Sequence, residues 1–163
     1  MKYLFVYNPY SRYGLKEKEI KLIKNKFIDD EVSFYKSEYQ GSIEKYVIEN
    51  GNQYDILVAC GGDGTIHEVV CGAIKLGNPK TIALLPKGTM NDVAKSLGYS
   101  FNLNKSLNII LKGNSLNRDV YSIGDTFFLY GMAIGRYSNV SYEAKNKRRF
   151  GIFSYYVFCP CLE

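Results

Sequence analysis

Tryptophan is absent from this 163-residue chain, histidine occurs once, and cysteine and proline occur four times each. A single histidine, His67, excludes a histidine-rich metal centre. Four cysteines are too few for a disulfide-built scaffold at this length. Cys60 lies in an apolar run and Cys71 in a helical pattern, so both read as small buried hydrophobes. The pair Cys159-Pro160-Cys161 lacks the two further ligands, at finger-like spacing, that a zinc site requires. Long hydrophobic runs are missing too. Nothing approaches the ~18–20 apolar residues that span a bilayer. The apolar run near Met1 is too short for a signal-peptide core, and the reading is a cytoplasmic protein. Strong charge of one sign is also lacking. Twenty-one basic residues against sixteen acidic ones give a net +5, which suits a phosphate-bearing ligand or an anionic membrane surface without requiring nucleic acid. With 46% hydrophobic and 23% charged residues the composition is that of a folded globular chain and excludes a disordered one.

What is present is an alternation of apolar runs and helical patterns. Strands are expected at Lys2–Tyr7, Val32–Tyr35, Tyr54–Cys60 and Thr81–Leu85. Helices are expected at Leu15–Ile28, from Ser42 as a cap to Asn50, at Thr65–Leu76, briefly after Thr89, and at Leu103–Leu111. Strand, loop and helix in repetition imply an α/β fold, a parallel sheet with helices on both faces. Ligands in such sheets bind beyond the carboxyl ends of the strands. After Arg118 the pattern changes. Val120–Gly124 and Thr126–Ala133 read as a hairpin turning at Gly124-Asp125, the start of an antiparallel region. The domain reading is therefore residues 1–118 and 119–163.

Three loops fall at expected strand ends. The first glycine loop, Gly61-Gly62-Asp63-Gly64-Thr65, leaves backbone N–H groups uncovered and opens a helix whose positive end favours an anion. Thr65-x-x-Glu68 fits a capping box for that helix. Asp63 would repel phosphate directly, and its presence makes sense if a divalent cation intervenes. The second loop, Pro86-Lys87-Gly88-Thr89-Met90-Asn91-Asp92, again precedes a helix, with Thr89-x-x-Asp92 as a second capping pattern. The third is Asn8-Pro9-Tyr10-Ser11-Arg12-Tyr13-Gly14. Neither a Walker A loop nor a dinucleotide fingerprint occurs at these junctions.

Gly61 to Val70, then Pro86 to Asp92, preceded by Asn8-Pro9-x-Ser11, resemble the catalytic domain of diacylglycerol kinase-type lipid kinases, with the bacterial soluble enzymes as the nearest likeness. The resemblance runs from Tyr3 to about Tyr156. It implies an α/β nucleotide lobe followed by a β-sandwich lobe, and transfer of the ATP γ-phosphoryl group to a lipid hydroxyl with Mg²⁺. It further implies that Asn8, Pro9, Ser11 and Arg12 line the nucleotide, with Ser37 at a position where the family often has a contacting threonine. Gly61, Gly62, Asp63, Gly64, Thr65 and Glu68 would wrap the phosphates, with Asp63 near magnesium, and Gly88, Thr89 and Asn91 would complete the site. Asp63, Asp92 and Asp119 would form a catalytic polar network at the lobe interface.

The sequence departs from the family at three places. Arg12 stands where a glycine is usual, and either crowds the phosphate, points at it, or lies exposed. His67 replaces a common asparagine. The chain also stops early in the second lobe, which reads as truncation. Apolar strand edges in 120–163 would then need another chain, a second copy among the candidates. The basic run Lys145–Arg149 is placed either against anionic lipid or in solvent. An NAD kinase-like enzyme and a non-catalytic nucleotide-binding fragment are the alternative functions.

Overall fold

The computed structural model describes residues 1–78 and 80–129. Cys159, Cys161, the Lys145–Arg149 run and the end of the expected hairpin lie outside the described residues. The described residues all fall within one compact unit, Met1–Tyr130.

Four strands form one parallel sheet: β1 (Lys2–Tyr7), β2 (Glu31–Lys36), β3 (Ile56–Gly61) and β4 (Thr81–Pro86), in the order β2-β1-β3-β4. Each was legible as an apolar run, and alternation explains how both faces are covered. Tyr3 and Phe5 of β1, Val58 and Cys60 of β3, and Leu85 of β4 pack with Ile23 and Phe27 near α1 (Glu17–Lys26) and with Leu107 and Ile110 of α5 (Leu103–Lys112). Leu4, Val6, Leu57, Ala59 and Leu84 point the other way. They meet Ile43 and Val47 of α2 (Ser42–Asn50), Ile66 and Val69 of α3 (Asp63–Lys75), and Val93 and Ala94 of α4 (Asp92–Ser96). Every residue of β3 is buried, as a central strand with helices on both faces requires.

Helix boundaries are set by local caps. Helix α1 is shorter than its apolar spacing, because Lys16 serves as N-cap and Phe27 closes the last turn. Ser42 does not cap α2. Gly41 holds the N-cap position at φ 89°, which favours glycine. The Ser42 hydroxyl instead accepts the backbone N–H of Glu38 at 3.1 Å and so fastens the preceding loop. Asn102 caps α5 by accepting the Lys105 N–H at 3.1 Å.

The antiparallel hairpin is present as β5 (Tyr121–Ile123) and β6 (Thr126–Phe128), with Ile123 opposite Thr126 across the Gly124-Asp125 turn. It lies against α3, where the Cys71 thiol approaches the Phe127 carbonyl at 3.8 Å.

Candidate active site

The parallel register pairs Tyr7 with Lys36, Tyr7 with Cys60, and Gly61 with Pro86. The loops beginning at Asn8, Ser37, Gly62 and Lys87 therefore leave the sheet along one edge, the carboxyl edge at which ligands of such folds bind.

The two glycine loops touch each other. A Cβ on Gly88 would run into the Cα of Gly62, and would also sit 2.9 Å from Asn91 Oδ1. A side chain on Gly61 would meet the Thr65 side chain. Gly64, in the first turn of α3, faces open space. Asn91 is fully buried in the left-handed region at φ 53°. Its Oδ1 accepts the Gly88 N–H at 2.8 Å and its Nδ2 donates to the Gly88 carbonyl at 2.8 Å. Both ends of its amide are thus spent holding Gly88 against Gly62. Asp63 reaches across from the first loop: its Oδ1 accepts the Val93 N–H at 3.0 Å, at the start of α4.

Both capping patterns read from the sequence are corrected by this arrangement. Helix α3 begins at Asp63, two residues early, with Gly62 as N-cap and no side-chain cap. Thr65 is buried, and Glu68 turns away to accept the Ile43 N–H of α2 at 3.2 Å. In the second loop Asn91 rather than Thr89 occupies the N-cap position of α4. Asp92 is the first helical residue and pairs with Lys95 at 3.7 Å. Local spacing is satisfied by several partners, and a carboxylate supplied from another loop displaced the local one.

The Asn8–Gly14 loop folds on itself. Asn8 Oδ1 accepts the Tyr10 N–H at 2.8 Å, and the Asn8 carbonyl accepts the Ser11 N–H at 3.2 Å. The Ser11 hydroxyl is buried with no hydrogen-bond partner, the one such side-chain oxygen among the described residues. Buried hydroxyls are nearly always paired. Pro9 packs its carbonyl 2.9 Å from where a Cβ of Gly14 would stand. Arg12 is exposed, its guanidinium 5.5 Å from the Tyr13 ring centroid. Ser37 is buried, with its hydroxyl donating to the Tyr39 carbonyl at 3.1 Å and lying 3.1 Å from that of Ser42.

The structure thus gathers Asp63 and Asp92 at the start of α4, with Gly62, Gly88 and Asn91 beside them. Thr89 is half-buried in the same loop. Asp119 is exposed ahead of β5, and no hydrogen bond or ion pair joins it to Asp63 or Asp92 among the described residues. His67 is exposed, with a ring nitrogen 3.7 Å from the Cys71 thiol.

Sequence reasoning passed over Lys87. It is only 8% exposed, and its Nζ donates to Glu19 Oε1 of α1 at 2.6 Å. Burial pushes the Glu19 carboxyl up. The hydrogen bonds from Lys87 and the Lys16 N–H, with both lysine charges, outweigh that and hold it below the usual glutamate range. A lysine closing a buried strand was the available signal.

The chain matches the family model described as diacylglycerol kinase catalytic domain over residues 2–123. It is 34% identical over 160 residues to diacylglycerol kinases of Staphylococcus aureus strains JH9 and Newman, covering 93% of this chain and 50% of each relative. The chain therefore spans about half the length of the curated relatives it matches. Among solved structures it resembles a diacylglycerol kinase from Bacillus anthracis str. Sterne, with a TM-score of 0.70, 27% identity, and coverage of 78% of this chain and 48% of that one. Another structure, of a putative diacylglycerol kinase from the same strain, gives a TM-score of 0.65 at 26% identity. Parallel sheet, paired glycine loops and these matches agree: the chain belongs to the diacylglycerol kinase catalytic domain family.

Proposed function

We propose that this chain is the nucleotide-binding lobe of a lipid kinase that transfers the γ-phosphoryl group of ATP to a lipid hydroxyl such as that of diacylglycerol. The observation that carries the reading is the Gly62–Gly88 contact, with the orphaned Ser11 hydroxyl in a third loop that leaves the same edge of the sheet. It joins two backbone-exposing loops at the carboxyl edge of the sheet. The family match at 2–123 favours a lipid kinase over an NAD kinase.

The residues present fit a nucleotide with its metal. Ser11 and the Asn8–Gly14 backbone would line the nucleotide, with Arg12 and Ser37 at the margin. The first turn of α3 would face the phosphates with the N–H groups of Gly62, Asp63 and Gly64, that of Thr65 being donated to the Gly62 carbonyl at 2.9 Å. Among the described residues no group of three acidic, histidine or cysteine side chains could hold a cation by itself. Magnesium is bound through one or two carboxylates plus phosphate oxygens and water, and Asp63 would be the carboxylate. When bound, the metal would supply neutralisation of charge on the transferring phosphoryl group. Asp92 would act beside Asp63, and Asp119 would enter from the second lobe, whose boundary is proposed at 118. Glu68 and Asn91 would act by holding α2 and Gly88 in place. The acceptor lipid would be met at a membrane surface, a peripheral contact.

The test is calorimetric titration of Mg-ATP into the purified chain beside an Asp63→Ala control. Magnesium-dependent binding that weakens in the control is the expected result. A folded chain that takes up no nucleotide would sink the reading. With a separately expressed second lobe added, phosphoryl transfer to diacylglycerol in mixed micelles, and not to NAD, is the expected outcome of the accompanying activity assay.

A further inference from the structure

We infer that Lys87 is a positioning residue that sets the spacing between the Asn8–Gly14 loop and the Lys87–Asn91 loop, and with it nucleotide affinity. This inference rests on the nucleotide reading above and adds the device that shapes the site.

Three contacts meet at Lys87. Its N–H donates to the Gly61 carbonyl at 2.8 Å, extending the β3–β4 ladder past the end of the sheet. Its carbonyl accepts the Tyr13 N–H at 3.2 Å, from the far end of the first loop. Its ammonium donates to Glu19 Oε1 at 2.6 Å. The other Glu19 oxygen accepts the Lys16 N–H at 3.0 Å, at the point where the same loop turns into α1. The first loop is therefore tied to Lys87 twice, once by main chain and once through the start of its helix. The next residue, Gly88, is the one pressed against Gly62. A shift of Lys87 would carry Gly88 with it and open the seam between the loops.

The ion pair is more than a surface bridge. The side chains of Lys87 and Glu19 are 10% and 19% exposed. A desolvated, charge-assisted hydrogen bond holds its geometry better than an exposed pair. Its position between a loop and a helix, 68 residues apart in sequence, makes it a long-range tether. Neither side chain need touch a ligand for this role.

The experiment compares Lys87→Met, Lys87→Arg and Glu19→Gln in the whole chain. Amide hydrogen exchange without nucleotide is read at Tyr13 and Gly88, and Mg-ATP binding is read by calorimetry. We expect Lys87→Met to lose protection at both amides and to bind Mg-ATP about tenfold more weakly, the scale of one lost charge-assisted hydrogen bond. Lys87→Arg should restore both, and Glu19→Gln should fall between. Unchanged protection in folded Lys87→Met, or unchanged affinity despite lost protection, overturns the inference. If Lys87→Met does not fold, wild-type protection and affinity in Glu19→Gln overturn it. Absence of Mg-ATP binding by the wild-type chain refutes the nucleotide reading instead, and exchange at Tyr13 still decides whether the tether exists.

Discussion

Asp63 Oδ1 accepts the backbone N–H of Val93 at 3.0 Å, so the acid of one glycine loop holds the start of the helix that follows the other. This carboxylate has a structural task as well as a proposed chemical one, and the two can be separated. Asparagine keeps an acceptor oxygen at that position, whereas alanine removes it. Asp63→Ala should lose about 1 kcal/mol of stability, the worth of a helix cap. Asp63→Asn should melt close to wild type. Both should lose magnesium-dependent nucleotide binding. Thermal denaturation beside calorimetry checks the split, and equal melting of the two variants would remove the cap from the account.

Gly64 and Gly88 should respond oppositely to alanine. At Gly88 a Cβ meets Gly62 and the Asn91 amide, so Gly88→Ala must force two loops apart and should destabilise the fold. At Gly64 a Cβ meets nothing within 4 Å. Gly64→Ala should raise stability by about 0.5–1 kcal/mol through its helix preference. It should nonetheless weaken Mg-ATP binding, because the methyl occupies the space through which phosphate would approach the helix start. Denaturant titrations of both variants, with and without nucleotide, read this out.

Removing the Ser11 hydroxyl takes away a buried oxygen that bonds to nothing in the described residues. Ser11→Ala should therefore leave stability unchanged or slightly increased. Its cost should appear on nucleotide binding alone, at about 1 kcal/mol for one neutral hydrogen bond. A loss of stability without a loss of affinity would show that the hydroxyl serves the fold.

The Glu19 carboxyl is held below its ordinary range, so the stability it contributes is present above the unfolded-state pKa of glutamate, about 4.3. It is lost as pH falls through the lower folded-state value. Denaturant midpoints of wild type and Glu19→Gln should differ at pH 7 and converge as the pH is lowered toward 3. A constant gap would assign the effect to packing.

Cys60 is fully buried, and burial pushes its thiol far up, so no thiolate is available at neutral pH. Iodoacetamide at pH 7.5 should leave Cys60 unmodified in the folded chain and label it after denaturation, with peptide mass mapping as the readout. Labelling of Cys60 at the native rate of an exposed thiol would contradict its place in the core.

The sheet and its helices were readable because their signals are local. Ile56–Gly61 is apolar throughout and directly precedes glycine, and Phe5 and Leu4 alternate between two cores. The glycine loops were readable for the same reason. What escaped was every contact that joins one loop to another. Thr65 and Glu68 have the right spacing for a capping box, yet Glu68 serves a helix 25 residues upstream. Asn91 gave no sign that its amide would fold back on Gly88 in a left-handed conformation. Nothing local to Lys87 marks Glu19, 68 residues away, as its partner. Periodicity reports which face is buried, but not which distant atom answers an unsatisfied donor.

The strand order β2-β1-β3-β4 also bears on the order in which the chain can fold as it is made. Synthesis delivers residues far more slowly than local structure forms, and compact units tend to assemble from the N-terminal side. Of the four strands β1 is made before the others and becomes an inner strand, with no sheet neighbour until β2 and no second one until β3. β4 is added last, on the outside of β3, bringing Pro86 and Lys87 with it. The loop at Asn8–Gly14 is made well before Lys87, so the Tyr13–Lys87 tie must wait for the end of β4. Residues 87–91 are therefore the stretch that must be made before the Tyr13–Lys87 and Gly62–Gly88 contacts can form.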